Sequence, residues 1–205
     1  MRVFALLICS TLVSGISAFA QGNVIPIADI FQVRYASNLN QGDSVINITN
    51  SGSTHAPGSG GNLCVNVYAF DPSEEMVSCC ACQVTPNALV SLSVQGDLIS
   101  NTLSPSTPTA VVVKLVSSLP SGSGQCNPGV IYDVASGMRA WGTTLHALPG
   151  TPTTYGVTES GFLSGGLNEL ELDHLISFCG FIQANGSGFG ICKSCRAGGL
   201  GGAKP

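Results

Sequence analysis

The chain has 205 residues, of which 9% are charged: seven Lys or Arg against eleven Asp or Glu, a formal net charge of −4 at neutral pH. So sparse and acidic a charge excludes the electrostatic footprint of a nucleic-acid binder or of a protein held on an anionic membrane surface. The length suits one domain with a real hydrophobic core, and Gly, Ser, Thr and Asn rather than ions solubilise the surface.

The first twenty residues read as a signal peptide. Arg2 supplies a positive start, residues 3–13 form an apolar run, and Ala18-Phe19-Ala20 places small residues at the positions a signal peptidase reads. Cleavage is expected between Ala20 and Gln21. The apolar run is shorter than the roughly 20 residues a membrane span needs, and no later stretch reaches that length. The expected product is a secreted or cell-surface protein on the extracellular or periplasmic side, with no transmembrane segment. Its expected organisation is one domain over residues 21–197 and a flexible tail over 198–205.

Cysteine usage agrees with export. Cys9 leaves with the signal, and eight remain: Cys64, Cys79, Cys80, Cys82, Cys126, Cys179, Cys192 and Cys195. An even number in an exported chain reads as a disulfide framework, although eight cysteines permit 105 pairings. In an extended strand Cys80 and Cys82 face one side and Cys79 the other, so Cys79 and Cys80 should find different partners. Cys192 and Cys195 can bridge each other or clamp the tail to the domain. The competing reading sets the two clusters as thiolate ligands for zinc or as a redox pair. The first cluster lacks the C-x-x-C spacing of a zinc ribbon, and the second lacks the strand-to-helix setting of a thioredoxin motif, so no metal is expected.

In chain order, residues 21–27 read as a short leader. Residues 30–35 and 44–49 alternate apolar and polar side chains, as half-buried strands do. A Pro/Gly/Ser loop follows at 55–62. The run 63–70 is a strong strand, with Val65 and Val67 on one face and Cys64, Asn66, Tyr68 and Phe70 on the other; Asp71-Pro72 ends it. Residues 76–84 carry the cysteine triplet up to Thr85-Pro86-Asn87, and 88–94 alternate again. After a Pro/Ser/Thr loop at 104–109, the β-branched run 110–116 suits a central strand. Residues 137–147 and 153–158 supply two more. These segments predict a mainly β fold: an antiparallel β-sandwich of about eight strands, stapled by disulfides. One helix is expected near the C-terminus, capped by Ser164 and running over 165–183. It carries Leu172, Leu175, Cys179 and Ile182 on one face and ends at Asn185-Gly186. A bridge from Cys179 to the sheet would dock it.

Catalytic signatures are missing from the sequence. His55, His146 and His174 have no zinc-protease spacing, no G-x-S-x-G elbow occurs, and the Gly-rich run at 186–190 lacks the spacing of a dinucleotide loop, so no cofactor is expected. Acidic residues cluster at Asp71, Glu74 and Glu75 and again at Glu169, Glu171 and Asp173. Asp71 and Glu75 are the candidates for paired carboxylates acting on a glycan. Trp141 with Tyr68 and Tyr155 is the candidate sugar-stacking platform. Asn47-Ile48-Thr49 and Asn185-Gly186-Ser187 match the glycan acceptor pattern.

Several stretches resemble a group of secreted, cysteine-rich bacterial proteins. They are Cys64-Val65-Asn66-Val67-Tyr68 with Phe70-Asp71-Pro72, Cys79-Cys80-Ala81-Cys82 with Thr85-Pro86-Asn87, Ser100-Asn101-Thr102-Leu103, Met138-Arg139-Ala140-Trp141, and the ending from Cys179 to Cys195. The resemblance implies the architecture, an export route and a bacterial host, and carries no activity and no site. The function expected from the sequence is a non-enzymatic extracellular or cell-envelope protein that acts by binding, adhesion or assembly. Self-association and an extracellular glycan or protein ligand are both open. The alternatives are a secreted polysaccharide hydrolase and a thiol or metal protein.

Overall fold

A computed structural model describes residues 29–54, 59–150, 154–193 and 195–198. The expected signal peptide and leader, His55 and the tail after Gly198 lie outside the described residues. Strands β1 (Phe31–Ala36), β2 (Val45–Asn50), β3 (Leu63–Phe70), β4 (Met76–Val84), β5 (Leu89–Ser93), β6 (Val111–Ser118), β7 (Met138–Ala147) and β8 (Tyr155–Gly161) follow the alternating segments of the sequence closely. Two short strands, β9 (Leu163–Ser164) and β10 (Arg196–Ala197), and one helix, α1 (Glu169–Asn185), complete the fold. Among the described residues no helix is long and apolar enough to cross a membrane.

The strands form two antiparallel sheets, ordered β4-β3-β6-β1-β9 and β10-β5-β2-β7-β8. Period-two alternation decides which side chains meet between them. Val65 and Val67 on β3, Ile46 and Ile48 on β2, Val113 and Leu115 on β6, and Met138 on β7 are all buried in one shared core. The opposite face of the first sheet is also covered. Tyr68, Phe70 and Val116 pack beneath Leu175, Cys179 and Ile182 of α1, so the molecule has three layers: sheet, sheet and helix.

All eight cysteines from Cys64 onward are bridged. Cys79 pairs with Cys179 on α1, while Cys80 and Cys82, on the other face of β4, pair with Cys192 and Cys195 of the tail. Cys64 pairs with Cys126, and the loop it fixes closes over Tyr68, whose hydroxyl donates to the Pro128 carbonyl at 2.8 Å.

Two segments change sheets and close the sides of the sandwich. On one side β8 leaves the second sheet, Phe162 inserts into the core, and β9 joins β1. On the other side the tail lies along β4, where Cys79 N–H donates to Gly190 O and Cys192 N–H to Cys79 O. It then crosses to pair β10 with β5. Neither short strand has a hydrophobic pattern long enough to announce itself.

The helix begins later than the sequence suggested. Ser164 lies in β9 opposite Gln32, and Gly165 donates its N–H to Phe31 O. A Cβ on Gly165 would sit 2.9 Å from the Phe31 ring, so glycine is what lets the chain lie this close to β1. Asn168 is the actual N-cap, accepting from Glu171 N–H at 2.8 Å, and Gly186 in the left-handed region closes the helix.

Candidate functional site: an apolar groove between the helix and β4

The groove starts with the rotation of α1. Leu175, Cys179 and Ile182 are buried on its inner face. The bridge to Cys79 fixes that face covalently, so the outer face cannot turn inward. Leu170, Phe178 and Phe181 lie on that outer face at 82, 49 and 68% exposure, and the His174 ring packs edge-on against Phe178 at 4.4 Å. No Asp, Glu, Lys or Arg occurs from His174 to Asn185. An outer helix face that carries such large apolar side chains is ordinarily covered.

Beside it, the 99–107 loop crosses the end of β4, with Leu103 N–H donating to Val77 O. The tail passes underneath at Gly190. Its φ of +75° and the Leu103 and Ile182 side chains, 2.8 and 2.9 Å from where a Cβ would stand, admit only glycine. Together these segments enclose a groove of about 450 Å³. Met76, Val77, Leu103, Phe178, Phe181 and Ile182 supply its apolar lining, and Glu74 and Glu75 stand at its edge.

Those glutamates are placed by the β3–β4 turn. Asp71 Oδ1 accepts from the N–H groups of Ser73 and Glu75, at 2.8 and 3.0 Å, and Glu74 adopts a left-handed backbone with φ of +68°. The turn spends the Asp71 carboxylate on its own backbone and leaves both glutamates exposed.

The candidate residues from the sequence do not converge. Tyr68 is fully buried beneath the Cys126 loop; burial holds its hydroxyl well above the ordinary tyrosine range, and it presents nothing to a ligand. Trp141 lies half-buried on the outer face of the second sheet, between Asn47 and Gly161. Tyr155 shares that face six residues further along β8, about 20 Å away. Tyr68 and Trp141 therefore sit on opposite outer faces of the sandwich, and no stacking platform forms. Asp71 and Glu75 belong to the β3–β4 turn on the first sheet, apart from Trp141. In the second acidic cluster, Glu171 is paired with Lys114 at 2.6 Å, and the Lys114 ammonium also stands 4.7 Å from the centre of the Phe70 ring. Of the two glycan acceptor asparagines, Asn47 is buried and accepts from Ser91 Oγ, whereas Asn185 is exposed at the end of α1.

Both cysteine clusters are consumed by bridges to each other and to α1, which removes them as thiolate ligands. Among the described residues no three His, Cys, Asp or Glu side chains form a group that could hold a metal ion. The groove itself escaped the sequence reading. Phe178 and Phe181 lie off the inner stripe, and only the placement of β4 and the 99–107 loop makes them one wall of a concavity.

Compared with protein-family models, with curated proteins and with solved structures, the chain matches none.

Proposed function

We propose that this chain is an exported, non-enzymatic component of the bacterial cell envelope or extracellular space, acting by binding or assembly through the groove beside α1. One observation carries the reading. Phe178 and Phe181 are held outward on a helix whose rotation is fixed by the Cys79–Cys179 bridge, so their exposure is built into the fold. Fixed apolar side chains grouped in a concavity mark an interaction site, unlike single exposed hydrophobics scattered over a surface. The cysteine framework supports the compartment, because such bridges persist in oxidising surroundings. The N-terminal segment of the sequence supports the route.

The test compares the mature chain with a Phe178→Ser/Phe181→Ser variant. Size-exclusion chromatography with light scattering reads assembly; retention on cell-wall material and on host-surface extracts reads binding. The expected result is assembly or retention that the double variant loses. A strictly monomeric protein with no retention on either material would overturn the reading. N-terminal sequencing of exported protein, expected to begin at Gln21, tests the route.

A further inference from the structure

We infer that the groove takes a short apolar segment of another protein that carries lysine or arginine beside its apolar anchors. This rests on the binding role proposed above and adds the chemistry of the occupant. The only charged side chains lining the groove are Glu74 and Glu75, both exposed, and neither makes an ion pair among the described residues. An occupant that covers them must either supply cations or strip water from two carboxylates at a loss.

This chain has few cations to offer a second copy. Arg34 is buried between the sheets, where it donates to Ser44, Gly142 and Thr144. Lys114 is paired with Glu171 and Arg139 with Asp29. Lys193 Nζ donates to Gly96 O at 2.8 Å. Two copies placed groove to groove would bring acidic edges together, and among the described side chains only one cation, Lys193, is both exposed and outside an ion pair to meet them. An anionic membrane is disfavoured for the same reason, since Glu74, Glu75 and a net charge of −4 all oppose it. A foreign basic, apolar segment satisfies both the floor and the edge. The volume of about 450 Å³ is of ligand-pocket size and fits a few anchoring side chains, as in helix-in-groove recognition.

The experiment uses the mature chain with its four bridges intact. The probe is a synthetic leucine–lysine peptide of about 16 residues with leucines at i, i+3, i+4 and i+7; its counterpart carries glutamate in place of lysine. Affinities are read by calorimetry. The lysine peptide should bind at least about tenfold more tightly than the glutamate peptide, and Glu74→Gln/Glu75→Gln should weaken it by about tenfold. Glu169→Gln/Asp173→Asn, at the far end of α1, should leave it unchanged, which separates the groove edge from overall acidity. Phe178→Ser/Phe181→Ser should abolish binding while the melting transition persists, because both side chains are exposed.

Equal affinity for the two peptides, or equal weakening by the two charge variants, overturns the inference. A concentration-dependent dimer dissolved by Phe178→Ser/Phe181→Ser overturns it too, but leaves the assembly role standing. So does recruitment to anionic phosphatidylglycerol vesicles through the same phenylalanines, which leaves a binding role. If the phenylalanine variant changes nothing in any arm, both the inference and the groove's role fail.

Discussion

Three of the four disulfides interleave along the chain, and this makes their contributions unequal in a way that can be measured. Cys79–Cys179, Cys80–Cys192 and Cys82–Cys195 close loops of 100, 112 and 113 residues when each is considered alone. In the chain-entropy description each such loop would contribute about 5 kcal/mol. They are not alone. Once Cys80–Cys192 is formed, Cys79–Cys179 closes only one step of strand and thirteen steps through the end of α1 and the tail, a loop of about 14 residues that contributes about 3 kcal/mol. Cys82–Cys195 then closes a loop of about five residues and contributes about 2 kcal/mol. Replacing both partners of a bridge by alanine, one bridge at a time, should therefore cost about 2–3 kcal/mol for each of the first two removed and about 5 kcal/mol for whichever is left until last. Equilibrium unfolding in urea, at fixed protein concentration and without reductant, provides the measurement. The alanines also remove buried sulfur, so the order of removal is the informative comparison. If the first removal costs as much as the last, in every order, the bridges act independently and the loops do not shorten one another.

Tyr68→Phe leaves the Pro128 carbonyl without its buried donor and should cost about 1–3 kcal/mol in the same assay. Burial raises the Tyr68 pKa above its unfolded value near 10. Its contribution is therefore fully present below about pH 10 and is lost as pH rises towards the folded pKa, at up to about 1.4 kcal/mol per pH unit. The alkaline slope of stability should be shallower in Tyr68→Phe, and an unchanged slope would contradict the burial. At Gly129 an added Cβ would stand 3.1 Å from the Gly180 Cα and 2.5 Å from Gln183 Oε1, so Gly129→Ala should destabilise by about 1–3 kcal/mol. The reciprocal Gly180→Ala meets only Gly129 O at 3.8 Å, and a helix-interior Gly→Ala should stabilise by up to about 1 kcal/mol. Thermal melts that give both variants the same sign would show that this helix–loop contact is misplaced. Phe178→Ser and Phe181→Ser should each change unfolding stability by less than about 0.5 kcal/mol, since the side chains are exposed.

The strands were readable because period-two alternation reports burial directly. β3 and β4 match the expected segments residue for residue, and the opposed faces of Cys79 and Cys80 follow from the pleat alone. The helix was readable from its inner stripe but not at its start. Ser164 is a good cap by composition, yet it is held in β9 by β1, and the competition between a strand pair and a helix turn is decided by a partner 132 residues earlier, Gln32. The acidic and aromatic candidates shared a chemistry but no place. Tyr68 went inward because the Cys64–Cys126 bridge brings a loop over it, and Asp71 went into its own turn.

By itself the sequence determined the class of fold: local alternation and turn residues act over a few neighbours and need no knowledge of the rest. It also fixed how little positive charge the chain can offer, seven Lys or Arg in 205 residues. Only the tertiary structure decided which cysteines pair, that β9 and the tail close the sandwich, and that two phenylalanines and two glutamates line one groove. Each of these joins residues far apart in the chain, where the energy of a contact depends on how whole sheets and a helix stack, and no local pattern records that.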